Sequence, residues 1–211
     1  MIFALLPVKS PQNAKQRLNG FLPAAHRETL ARLMYEHTMA ALCGARGIDR
    51  VVVVTSDNEI TERARGSGAL VFEERQQSSH SLSADAACLR ALELGATTAL
   101  LVPIDVPLVT ADDFSRLAAT ARPGVVVVPS ADGTGTNALA RTPPDVIDSC
   151  FGPGSFRAHL EQASRKGVAT EVLRLPGLMF DIDTPGDVAE LLERAPENRV
   201  ASFLRSVCPS K

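Results

Sequence analysis

Three cations follow one apolar run near the start of the chain. In LLPVKSPQNAKQRL, residues 5–18, a strand-like segment meets a proline and then a loop carrying Lys9, Lys15 and Arg17. Positive charge gathered at the end of a strand can cradle a polyphosphate through charge-assisted hydrogen bonds. The P-loop spacing GxxxxGK[ST] is absent. In VPIDVPL, residues 102–108, Asp105 follows a second apolar run between Pro103 and Pro107. A carboxylate so placed suits Mg²⁺, a hard cation that prefers oxygen ligands. In FDIDTPGD, residues 180–187, Thr184, Pro185 and Asp187 read as a helix cap, which leaves Asp181 and Asp183 unexplained. The two alternate around Ile182, so an extended backbone sends them to opposite sides and at most one joins Asp105 at a metal. Each group also has a plainer reading, as solvated lysines or as turn acids.

Two glycine loops could meet an anion. In GTGTNAL, residues 133–139, Gly133 and Gly135 can offer amide N–H groups with no Cβ in the way, and the hydroxyls of Thr134 and Thr136 add donors. In FGPGSF, residues 151–156, Gly152 and Gly154 lead into a helix starting near Ser155, whose free N–H groups favour phosphate or carboxylate. Ordinary turns and simple capping explain the same residues. His159, one turn into that helix, reads as a surface residue or as one leaning on a bound anion. No GxSxG, HExxH or Ser-His-Asp arrangement is present.

The elements that must position these residues alternate between short apolar runs and helical patterns. Strands are expected at Ile2–Val8, Val51–Thr55, Ala69–Phe72, Thr98–Ile104 and Val125–Val128, with helices at Glu28–Leu42, after Ser56 or Asp57 through Arg65, at Ser83–Leu94 and from Thr110. Strand Thr136–Ala140, helix Ser155–Ser164, strand Thr170–Leu175 and helix Pro185–Leu192 extend the same sheet. Strands apolar throughout are buried on both faces, so the expected fold is a three-layer α/β/α, Rossmann-like domain with a mostly parallel sheet spanning residues 1–211. The residues from about 198 read as a loosely held tail or a helix. Ligands of such sheets sit beyond the carboxyl ends of the strands, where the charged residues fall.

With 211 residues, 45% hydrophobic and 22% charged, the chain can bury a full core. A net charge of −2 without a Lys/Arg run argues against nucleic acid as a partner. Cys43, Cys88, Cys150 and Cys208 are too dispersed for a zinc site or a disulfide framework. No apolar run reaches the roughly 18 residues of a membrane span, and the start does not read as a secretory leader, so a cytoplasmic protein away from membranes is expected.

Taken together, PVK, AKxRL, PxDxPL, GTGTNAL, FGPGSF and DxDTPxD, spread over residues 1 to 192, resemble the guanylyltransferases of coenzyme F-420 biosynthesis. This is the 2-phospho-L-lactate guanylyltransferase group, with its phosphoenolpyruvate and 3-phosphoglycerate versions. The resemblance implies a GT-A-like nucleotidyltransferase fold and transfer of GMP from GTP to the phosphate of a small acid, with Mg²⁺ and release of pyrophosphate. It implies metal ligands at Asp105 and at Asp181 or Asp183, with Lys9, Lys15 and Arg17 serving the triphosphate. Pro7, Val8 and Ser83 would border the nucleotide base. Thr136, Gly152 and Ser155, with Thr134, Gly135 and Gly154, would hold the acceptor acid. Where family members often carry Gly-Leu-Asn this chain has Ser81-Leu82-Ser83, so base recognition is altered or falls to the Leu6–Val8 backbone. The resemblance suggests a homodimer, and the sequence leaves the oligomeric state open. Rival readings are a nucleotidyltransferase for molybdopterin or a sugar phosphate, and a protein that senses nucleotide without turnover.

Overall fold

The computed structural model describes residues 1–74 and 79–208. Seven strands form one sheet: β1 (Ile2–Pro7), β2 (Arg50–Thr55), β3 (Leu70–Glu73), β4 (Thr98–Leu101), β5 (Gly124–Pro129), β6 (Thr136–Thr142) and β7 (Thr170–Val172). Their order is β3-β2-β1-β4-β6-β5-β7. All neighbours pair parallel except β6, which runs against both β4 and β5. The mostly parallel sheet with helical crossovers is the architecture expected from the apolar runs. The antiparallel β6 carries Thr136 and Asn137 to the rim where β1 and β4 end, because Leu139 lies opposite Leu101.

The helices are α1 (Ala24–Gly44), α2 (Asn58–Gly66), α3 (His80–Glu93), α4 (Ala111–Thr120), α5 (Ser155–Arg165), the short α6 (Pro176–Met179), α7 (Pro185–Arg194) and α8 (Arg199–Val207). Local chemistry starts several of them. Asp57 caps α2, Ser79 caps α3, and reciprocal Thr–Asp boxes open α4 and α7. One face of the sheet packs Leu6, Val53, Leu100 and Val126 against α1, α2 and α4. The other packs Phe3, Leu5, Val52 and Leu139 against α3 and α5. A third cluster joins Leu18, Leu22, Leu30 and Met34 to Phe180, Ile182, Val188 and Leu204.

Several boundaries differ from the sequence reading: α1 and α3 start earlier, at Ala24 and His80, and β7 stops at Val172. β4 ends at Leu101 rather than continuing to Ile104, since Pro103 has no N–H to donate to a ladder. Of the two readings of the last residues, tail or helix, the helix is found among those described: α8 buries Val200, Ala201 and Leu204, and Asn198 caps it by accepting from the Val200 amide. Among the described residues no helix is long and apolar enough to cross a membrane.

Candidate active site at the sheet rim

β1 leads through Pro7 to two short 3-10 turns, at Pro11–Asn13 and Gln16–Leu18, with Lys15 between them. Lys15 has φ = 53°, the left-handed region. For a residue with a Cβ that conformation costs about 1–2 kcal/mol. Two charge-assisted hydrogen bonds offset it: the Lys15 ammonium donates to Asp105 Oδ2 at 2.8 Å and to Asp183 Oδ1 at 3.1 Å. Burial opposes the Lys15 charge, but the charges of Asp105 and Asp183 outweigh it and raise the lysine pKa. Burial likewise opposes the Asp105 carboxylate, and Lys15 overcomes it, holding Asp105 below the usual carboxylate range. Arg17, largely exposed, donates to Asp183 Oδ2 at 3.0 Å.

Asp181 and Asp183 do not diverge as an ideal strand would require. The Ile182 amide donates to Asp105 O at 3.0 Å, drawing the segment alongside Asp105. The Asp183 amide donates to Asp187 Oδ2 at 2.8 Å, so the α7 capping box also sets the backbone at Asp183. One carboxylate oxygen from each of Asp105, Asp181 and Asp183 falls within 4.8 Å of the others. The expectation that only one of the pair could join Asp105 is thereby corrected.

Asn137 is given no role in the sequence reading, yet it holds this arrangement together. Its amide nitrogen donates to Leu178 O at 2.9 Å, Met179 O at 3.0 Å and Asp181 Oδ1 at 3.1 Å. Its position two residues after Gly135, at the start of a strand, was the available signal. Burial first, then the charges of Asp105 and Asp183, push the Asp181 pKa up to about 6 against that hydrogen bond. Lys15 and Arg17 pair with Asp105 and Asp183, while Asp181 has the Asn137 amide as its partner and is raised first by burial and then by the neighbouring carboxylates. Oxygen donors so disposed fit a hard divalent cation such as Mg²⁺.

Two adjoining cavities, of about 520 and 480 Å³, meet at this cluster and share Arg17, Thr136, Asn137, Gly152, Asp181 and Asp183. Pro7, Lys9, Lys15, His80, Asp105 and Phe151 line the first. Thr134, Gly135, Ser155 and Asp187 line the second. Val8 is buried, and its amide is committed to Val54 O. Ser83 is also buried, on the inward stripe of α3 with Ala84 and Ala87, and does not line either cavity. His80, three residues earlier and absent from the sequence reading, does line the first. Its ring lies edge-on to Phe151, with centroids 4.7 Å apart.

The GTGT loop is built differently from expectation. Its amides are already committed. Gly133 N donates to Ser130 O, Thr134 N to Asp132 Oδ1, Gly135 N to Ser130 Oγ and Thr136 N to Ser155 Oγ. The Thr134 hydroxyl donates to Asp132 Oδ2. These bonds stabilise the turn and leave no loop amide for a ligand. At Gly135 a Cβ would lie 3.0 Å from Ser130 Oγ, a tight contact that would press on the hydroxyl holding the Gly135 amide. Gly152 and Gly154 are required by φ of 129° and 72°. His159, expected at the surface or against an anion, is fully buried, with Nδ1 3.0 Å from Thr136 Oγ1 and Nε2 accepting from the Cys150 amide. The neighbouring loop is held from beneath: buried Arg141 bonds Asp85, Asp85 accepts from Ser149, and Ser81 Oγ accepts from the Phe151 amide.

Residues 2–210 match the family described as "Guanylyl transferase CofC like". The chain belongs to that family. It is 40% identical over 196 residues to a phosphoenolpyruvate guanylyltransferase of Sphaerobacter thermophilus, covering 92% of this chain and 93% of that one. It is 33% identical to a 3-phospho-D-glycerate guanylyltransferase of Colwellia psychrerythraea, covering 89% of each. A 2-phospho-L-lactate guanylyltransferase of Methanothermobacter thermautotrophicus is 30% identical, covering 97% of this chain and 90% of that one. Among solved structures, a nucleotidyl transferase of the same archaeon superposes with TM-score 0.65 at 20% identity, covering 98% and 99% of the two chains. That likeness bears on fold alone, and it is the nucleotidyltransferase fold expected for this family member.

Proposed function

We propose that this CofC-like chain transfers GMP from GTP to the phosphate of a small phosphorylated acid, in coenzyme F-420 biosynthesis. The observation that carries the reading is the convergence of Asp105, Asp181 and Asp183 where two cavities meet. One cavity would take the nucleotide, the other the acceptor. A phosphate oxygen of the acid attacks the α-phosphorus, a new P–O–P bond forms, and the bond to the β-phosphate breaks, releasing pyrophosphate. The attacking oxygen is already ionised near neutral pH, since the second phosphate pKa is about 6. That suits a site with no histidine at its centre.

Positioning and electrostatics carry such a reaction. Asp105, Asp181 and Asp183 would hold Mg²⁺, which supplies charge stabilisation at the α-phosphate when bound. Lys15 keeps Asp105 and Asp183 together. Lys9 and Arg17, both on the cavity wall, meet the phosphates. Asn137 orients Asp181, and His80 with Phe151 forms a wall for the base. The hydroxyls of Thr136 and Ser155 replace the loop amides as the groups that hold the acceptor. The relatives' names differ in the acceptor acid. Phosphoenolpyruvate, in the name at 40% identity, is the acid expected to react best.

Purified protein given GTP, Mg²⁺ and each of the three acids in turn should release pyrophosphate with at least one of them. Asp105→Asn should cut that rate about 100-fold or more, with the fold retained by circular dichroism and a lower melting temperature from the weakened Lys15 pair. Nucleotide binding without pyrophosphate release from any acid would favour a sensing protein. A near-normal rate in Asp105→Asn would remove the carboxylate cluster from the chemistry.

A further inference from the structure

Thr136 and Ser155 both line the second cavity, and each hydroxyl is approached by a protein donor. For Ser155 the donor is the Thr136 amide, at 2.8 Å. An amide only donates, so Ser155 Oγ accepts and keeps its own proton. For Thr136 the partner is His159, and the direction of the bond depends on which ring nitrogen carries hydrogen. The Cys150 amide settles this, because it donates to Nε2 at 2.9 Å and Nε2 must therefore be bare. Burial holds the ring neutral, with its pKa lowered to about 4. The single ring proton thus sits on Nδ1, 3.0 Å from Thr136 Oγ1, where it serves that hydroxyl and the Ser155 backbone carbonyl. Having accepted, the Thr136 hydroxyl keeps its proton for the cavity.

We infer that His159 is a positioning residue that turns the Thr136 hydroxyl into a fixed donor, so that Thr136 and Ser155 present paired O–H groups to one anionic group of the acceptor. The inference rests on the phospho-acid reading given above. His159 never reaches the cavity, being fully buried, and Phe151 covers it at 5.3 Å between ring centroids. Its effect on the acceptor runs through Thr136, while its other nitrogen holds the Cys150 amide. Paired donors select a carboxylate or phosphate and disfavour an acceptor that presents only hydroxyl protons there.

The test combines ring ¹⁵N spectra of the native protein at pH 7 with Michaelis constants for two variants. His159→Gln places an amide near Nε2, where it can accept from Cys150 but offers Thr136 nothing. His159→Asn places its NH₂ near Nδ1 and keeps the donor to Thr136. We expect a neutral ring protonated at Nδ1. His159→Gln should raise KM for the phospho-acid about tenfold or more and move KM for GTP no more than about twofold, and His159→Asn should recover most of the loss. A ring protonated at Nε2 or charged, equal damage from both variants, or parallel rises for GTP and acid would overturn the inference. If neither variant folds, Thr136→Val decides with the ring spectrum: an unchanged acid KM overturns it, and a rise confined to the acid supports it. No turnover of any acid by the native protein would instead defeat the guanylyltransferase reading, and the acceptor role of Thr136 with it.

Discussion

At Lys15 and at His159 a buried group is held in one charge state by its neighbours, and the two cases run in opposite directions. Lys15 stays charged because two carboxylates reach it within 3.1 Å. His159 stays neutral because burial dominates, Arg141 adds a like charge, and Asp85 only partly compensates. The histidine carries a stability consequence with a definite sign. Its folded pKa, about 4, lies below its ordinary 6.5, so the unfolded chain takes up a proton between those values and the native chain does not. The contribution is complete above about pH 6.5 and is lost as the pH falls toward 4, amounting to about 3 kcal/mol. Urea unfolding at pH 7 and pH 4.5 should show this as a difference that shrinks in His159→Asn. Carboxylate effects common to both proteins cancel in that comparison. Superimposable pH dependences would contradict the buried neutral ring.

At the scale of elements, the third apolar cluster ties the two halves of the charged site together. Leu18 follows the cationic loop, Phe180 and Ile182 bracket Asp181, and α8 closes over all three through Val200, Ala201 and Leu204. Asn198 at the start of α8 also donates to Pro107 O at 2.9 Å, beside the Asp105 turn. Leu204→Ala should therefore destabilise the protein by about 2–5 kcal/mol, read as a lower urea midpoint, and should lower turnover at temperatures where the protein is still folded. A loss under about 1 kcal/mol would mean that α8 is an appendage. That helix also marks where sequence reasoning stopped. VVVVT and VVVV announce buried strands by composition, and Thr110 with Asp113 announces a cap, because those signals are local. The docking of α8 is not local: RVASFLRSV shows an apolar stripe but not the surface that receives it. The same limit hid Asn137, whose three acceptors lie about 40 residues away, whereas the GTGT amides were misjudged for a local reason: Ser130 and Asp132 in the preceding turn already take them. Alternation around Ile182 misled for a related reason. The period-2 rule holds for regular strands, and residues 181–183 are irregular, bent by bonds to Asp105 and Asp187.

For the whole molecule, the sheet works as a frame whose rim collects chemistry from distant stretches of chain. Lys15 follows β1, Asp105 follows β4, Asn137 opens β6 and Asp181 precedes α7. The reversal of β6 brings Thr136 to the rim that carries Asp105, so the two cavities share a wall because of topology. The central claim is that two phosphorus centres are joined at that wall. Phosphorus NMR of the products formed from GTP, Mg²⁺ and phosphoenolpyruvate tests it most directly. The account predicts a new pair of mutually coupled ³¹P signals, one from the guanosine α-phosphorus and one from the acid's phosphate, growing in step with free pyrophosphate. Pyrophosphate appearing with GMP and an unchanged acid, or inorganic phosphate with GDP, would contradict it.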